Sequence, residues 1–97
     1  MRVIKKKTLV DFYSLHAETK ADLEAWYGIT VNSEWKTPGD VKNTFVKASI
    51  IGNNRVVFNI CGNSYRLIIK IEYKIGWLYI RFIGTHKEYN KINADEI

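Results

Sequence analysis

Residues 55–73 read Arg55-Val56-Val57-Phe58-Asn59-Ile60-Cys61-Gly62-Asn63-Ser64-Tyr65-Arg66-Leu67-Ile68-Ile69-Lys70-Ile71-Glu72-Tyr73. Two runs of β-branched and aromatic residues are split by a Gly-Asn pair, the pattern of a hairpin. With Gly62 and Asn63 as the loop, Ile60 faces Tyr65, Asn59 faces Arg66, Phe58 faces Leu67 and Val56 faces Ile69. One face then holds Val56, Phe58, Ile60, Tyr65, Leu67, Ile69 and Ile71. It is uniformly apolar and should meet the rest of the core. The opposite face carries Arg55, Asn59, Arg66 and Lys70, with Val57 and Ile68 between them.

Downstream, Trp77 to Gly84 alternates in the same way. An even-numbered loop around Lys74-Ile75 pairs Ile71 with Leu78, Ile69 with Ile80 and Leu67 with Phe82. A three-residue loop would set Arg81 opposite Ile69 and bury an unpaired guanidinium, which is costly. The even register adds Tyr79, Arg81 and Ile83 to the open face. Wet faces of antiparallel sheets are often charged, so this face reads either as solvent-facing or as a surface for a ligand.

Upstream, the period becomes helical. Thr8 with Asp11 and Thr19 with Asp22 have the spacing of N-terminal capping pairs. Leu9, Phe12, Tyr13 and His16 form one apolar stripe, and Leu23, Trp26 and Tyr27 a second that stops at Gly28. Thr37-Pro38-Gly39-Asp40 opens a shorter helix through about Phe45. Val3-Ile4 could add a first strand. The expectation is an α+β domain over residues 1–97, two N-terminal helices packed on one face of an antiparallel β-meander.

Composition narrows the class. The 97 residues are 46% hydrophobic and 13% aromatic, too apolar for a disordered chain. No run approaches the roughly 18 apolar residues of a membrane span, so no membrane association is expected. No secretory h-region follows the basic N-terminus. Cys61 is the one cysteine, which fits a reducing, cytoplasmic setting. The net charge is +5. Residues 1–54 carry +2, residues 55–91 carry +5 and the last six carry −2. A basic surface attracts polyanions.

Several chemistries fit poorly. Two-metal hydrolysis needs clustered carboxylates, and Glu72 is the one acid between Arg55 and Gly84. Cysteine–histidine metal sites need more ligands, and no Gly-rich phosphate loop is present. No metal or cofactor is therefore expected. Cys61 reads as packing. His16, on a helical stripe, reads as structural. His86 and Tyr89 follow the last strand and point the same way in a helical turn. RNA can be cut without a metal, because the ribose 2′-OH supplies the nucleophile. Arginines then hold the phosphate, and a His or Tyr moves protons.

These segments together resemble a known family. Val57-Phe58-Asn59-Ile60, Gly62-Asn63 and Tyr65-Arg66-Leu67 look like its central hairpin. Ile80-Arg81-Phe82, Thr85-His86 and Glu88-Tyr89 look like its C-terminal signature, and Ala25-Trp26-Tyr27 and Trp35-Lys36 also fit. The family is the HigB-type toxins of type II toxin–antitoxin systems, within the RelE-like mRNA interferases. The resemblance covers roughly residues 1–91. It implies a RelE-like fold, mRNA cleavage often on the translating ribosome, and a HigA-type antitoxin partner with a helix-turn-helix domain. It implies catalytic roles for Arg66, Arg81, His86 and Tyr89, and motif positions for Asn59 and Asn63. Lys36, Lys47, Arg55 and Lys70 would join Asn59 and Asn63 in holding RNA. Two other readings stay open: a non-catalytic RNA-binding module with Trp77 and Tyr79 as stacking platforms, and a protein-interaction domain with an acidic partner.

Overall fold

The computed structural model describes residues 1–97. In chain order it runs β1 (Arg2–Ile4), α1 (Lys6–Leu15), a 3-10 turn (Ala17–Thr19), α2 (Lys20–Val31), α3 (Pro38–Thr44), β2 (Ser49–Ile50), β3 (Arg55–Ile60), β4 (Tyr65–Glu72), β5 (Trp77–Thr85) and α4 (His86–Tyr89). The strands form one sheet ordered β1-β5-β4-β3-β2. Three of the pairings are antiparallel, but β1 lies parallel to β5, with Val3 opposite Leu78. The sheet is therefore mixed rather than a pure meander, because the helices carry the chain across one face before it returns.

The first hairpin keeps the expected register, Ile60 with Tyr65 through Val56 with Ile69. Its turn departs from a simple Gly-Asn loop. Positive φ falls on Cys61 (52°) and Gly62 (65°), not on Asn63. The second hairpin begins as expected, Ile71 with Leu78 and Ile69 with Ile80. The register then shifts, so that Ile68 faces Phe82 and Leu67 faces Ile83. This corrects the pairing of Leu67 with Phe82. Arg81 is the extra residue of a β-bulge. The bulge keeps Arg81 out of the core, sends Ile83 inward to pack against it, and leaves Phe82 opposite Ile68. Ile83 thus leaves the open face and Phe82 takes its place.

Helices α1, α2 and α3 cover the apolar face. Leu9, Leu23, Trp26 and Val41 join Val56, Phe58, Leu67, Ile69, Ile71 and Leu78 in one buried cluster. Each such side chain contributes about 1.5–3 kcal/mol over its exposed state. Two helix starts differ from expectation. Helix α1 begins at Lys6, with Lys5 in the left-handed region and no side-chain cap, so Thr8 and Asp11 do not pair there. Thr19 precedes α2 without capping it. Its hydroxyl donates to the His16 carbonyl, while Asp22 accepts the Cys61 N–H across the fold. Helix α2 also runs through Gly28 to Val31, since its buried stripe continues to Thr30. The expected box at Thr37 and Asp40 is present, with Pro38 at the first turn.

Candidate active site

The open face is not bare. Val57 and Ile68 point to it by register, yet both are buried. Helix α4 packs on β4 and β5, and the residues after it continue across the sheet, so this segment supplies the cover.

Helix α4 is four residues long and is held by a reciprocal cap. The Glu88 N–H donates to the Thr85 hydroxyl, 3.1 Å. The Thr85 N–H donates to the Glu88 carboxylate, 2.9 Å. That main-chain bond is the chief reason the Glu88 carboxyl sits below its ordinary pKa. The Thr-x-x-Glu signature of this cap is present in the sequence at 85–88. The His86 N–H donates to the Ser64 carbonyl, which ties α4 to the first hairpin.

Three of the four expected catalytic residues meet here. Arg66 Nη2 lies 2.8 Å from His86 Nδ1. A guanidinium has no acceptor, so Nδ1 accepts and the ring proton sits on Nε2. Arg66 Nη1 donates to the carbonyls of Asn63 and Tyr65, and the Arg66 guanidinium lies 5.7 Å from the Tyr89 ring centre, a cation–π distance. Asn59 donates to the Asn63 side chain, 3.3 Å. Lys47 joins Asn59, Gly62 and Asn63 around a hollow of about 360 Å³. Lys47, Asn59, Asn63, Arg66, His86 and Tyr89 thus gather around the first turn.

Arg81 goes elsewhere. Its Nε donates to the main-chain oxygen of Ile97, 3.2 Å. Arg55 donates to the same oxygen from Nε (3.2 Å) and Nη2 (2.8 Å), and from Nη1 to the Asn53 carbonyl. Arg66 leans toward Asn63 and Arg55 toward Asn53, so their heads diverge. Lys70 sits 3.4 Å from Glu72, which shares its charge. Lys36 is remote from both groups, beside Arg2, Tyr73 and Lys74.

Other expectations also find places. His16 stacks on Phe12 at 4.3 Å and meets the edge of Tyr65, a packing role. Burial and the nearby Asp22 push the Cys61 thiol up, away from thiolate. The Trp77 ring is covered by the Arg2 guanidinium at 4.9 Å, which leaves it poorly free for stacking. No three His, Cys, Asp or Glu side chains converge as a metal site would require.

With this fold and geometry in view, residues 19–92 match the RelE-like toxic component of a toxin–antitoxin system. The α+β fold with its five-stranded mixed sheet is compatible with a RelE-like single domain. Within that class, the chain belongs to the HigB toxin family. It is 28% identical over 96 residues to the mRNA interferase toxin HigB of Escherichia coli (strain K12), covering 97% of this chain and 92% of that one. The mRNA interferase HigB of Shigella flexneri matches to the same extent. No helix is long and apolar enough to cross a membrane.

Proposed function

We propose that this toxin is an endoribonuclease that cleaves mRNA without a metal, on the translating ribosome, and is neutralised by a HigA-type helix-turn-helix antitoxin. The observation that carries the reading is the Arg66–His86 contact of 2.8 Å on an accessible rim, with Tyr89 beside it. A permanent donor is coupled to a proton-transfer side chain, and the two occupy each other only until an anion arrives.

In the proposed reaction the scissile phosphate draws the Arg66 guanidinium to its oxygens, where the developing charge is stabilised. His86 Nδ1 is then free to take the 2′-OH proton. The 2′-oxygen bonds to phosphorus, the bond to the 5′-oxygen breaks, and that oxygen takes a proton from Tyr89 or water. The products are a 2′,3′-cyclic phosphate and a 5′-hydroxyl. Lys47, Asn59 and Asn63 hold the strand beside the first turn. Arg81 and Arg55 add phosphate contacts, with Lys70 and Lys36 more peripheral.

The test is expression of the toxin in a bacterial host, with mapping of new mRNA 5′ ends, against Arg66→Ala and His86→Ala. Growth arrest with in-frame cuts that both variants lose is the expected outcome. Full cutting by His86→Ala would remove the assignment. Substrate carrying 2′-O-methyl at the cut site should resist completely.

A further inference from the structure

Arg55 and Arg81 direct three N–H groups at one oxygen of Ile97. The Asn53 amide holds the same segment through the Asp95 carbonyl, 3.0 Å. No Asp or Glu side chain forms an ion pair with either arginine. Two guanidinium groups close together without an acidic side chain repel each other and favour an anion between them. Paired guanidinium forks match phosphate oxygens well, and charge-assisted bonds are roughly twice as strong as neutral ones. The segment that fills the place is itself acidic: residues 92–97 carry Asp95 and Glu96 and no basic residue.

Position separates this pair from the Arg66 centre. Arg55 lies four residues from Asn59 along β3, about 13 Å at strand rise, and Asn59 is opposite Arg66. Between the two rows lie Val57, Ile68 and Phe82. We propose that Arg55 and Arg81 form a second phosphate subsite for RNA, that the Ile97 oxygen stands in for a phosphodiester oxygen there, and that residues 93–97 leave when RNA binds. This rests on the endoribonuclease reading above and extends it. Departure of the segment would uncover Val57 and Ile68 beside Phe82, an apolar floor between two phosphate sites that suits the face of a nucleobase.

The experiment uses the whole chain, labelled with nitrogen-15, and a 2′-O-methyl RNA hexanucleotide that cannot be cut. At saturation, the amides of residues 93–97 should move to sharp, random-coil positions. The Arg55 and Arg81 Nε–H signals should stay hydrogen-bonded. Saturation with the 93–97 signals unmoved overturns the proposal and leaves the enzymatic reading standing. No binding even at low salt overturns the proposal, while the mapping of host mRNA cuts decides the enzymatic reading by itself. A chain lacking 93–97 should bind the hexanucleotide about tenfold more tightly, because no competent state need be opened. Arg55→Gln with Arg81→Gln should cancel that gain and lower the salt slope by roughly 0.7 per lost phosphate contact. A folded truncated chain with unchanged affinity counts against the segment as a competitor. If truncation prevents folding, the whole-chain spectra decide.

Discussion

The two ends of the open sheet face are built differently. Around the first turn, Arg66, His86 and Tyr89 are assembled by short-range devices: a tight turn, a one-turn helix and a reciprocal cap at Thr85 and Glu88. At the far end, Arg55 and Arg81 are oriented by a β-bulge and by a segment 42 residues from Arg55. The first end presents a donor already coupled to a proton carrier. The second presents donors alone. Basic residues on one face therefore need not share one task, and the partners that each head finds decide between chemistry and grip.

That difference is open to measurement. Arg66→Ala and His86→Ala should each lower kcat by about a thousandfold, with RNA affinity within a few-fold for His86→Ala. Single-turnover cleavage beside hexanucleotide binding separates the two quantities. Arg81→Gln should instead raise KM about tenfold and leave kcat within threefold. A kcat loss equal to that of Arg66→Ala would mean that both ends serve one phosphate. Gly84→Ala should destabilise by about 1–3 kcal/mol in urea melts, because a Cβ there would meet the Phe82 ring at 2.7 Å. Thr85→Ala should lower stability by about 1 kcal/mol through the lost cap. Its loss of activity should exceed its loss of global stability, since α4 carries the two proposed proton-transfer groups, His86 and Tyr89.

The smallest effect is a dependence on pH. The Glu88 carboxyl titrates below its ordinary value of 4.5, chiefly through the Thr85 N–H. A lowered folded pKa stabilises the protein above the unfolded value and loses that contribution as pH falls through the folded one. Helix α4 should therefore fray below about pH 4.5 before the sheet melts, seen as early shift changes at residues 85–89. Thr85→Ala should remove that early step; an unchanged step would detach it from the cap.

Much of this was legible in the chain. The Gly62-Asn63 signal and the alternation around it set the β3–β4 register, because slipping by one would turn every apolar side chain outward. The pairing of Asn59 with Arg66 follows at once. The bulge at Arg81 was not legible. Ile80-Arg81-Phe82-Ile83 alternates well enough to hide an insertion, and what drives it is the packing of Ile83 against the core. The cover over Val57 and Ile68 was equally hidden, since nothing periodic marks residues 90–97. The caps at Thr8 and Thr19 failed for a related reason. A threonine and an acid three apart are necessary for a box, but Asp22 found a better partner in the Cys61 amide, brought near by the tertiary fold.

The parallel edge strand bears on when the fold can close during synthesis. Arg2, Val3 and Ile4 pair with Trp77, Leu78 and Tyr79, so β1 waits for the last of the five strands. Pairings this distant in sequence form late, after a long loop has closed. A ribosome making this protein must extrude β5 before the sheet can close and before the Thr85 cap can hold His86 in place. A chain extruded only as far as β4 therefore lacks both the partner of β1 and the cap that holds His86 beside Arg66.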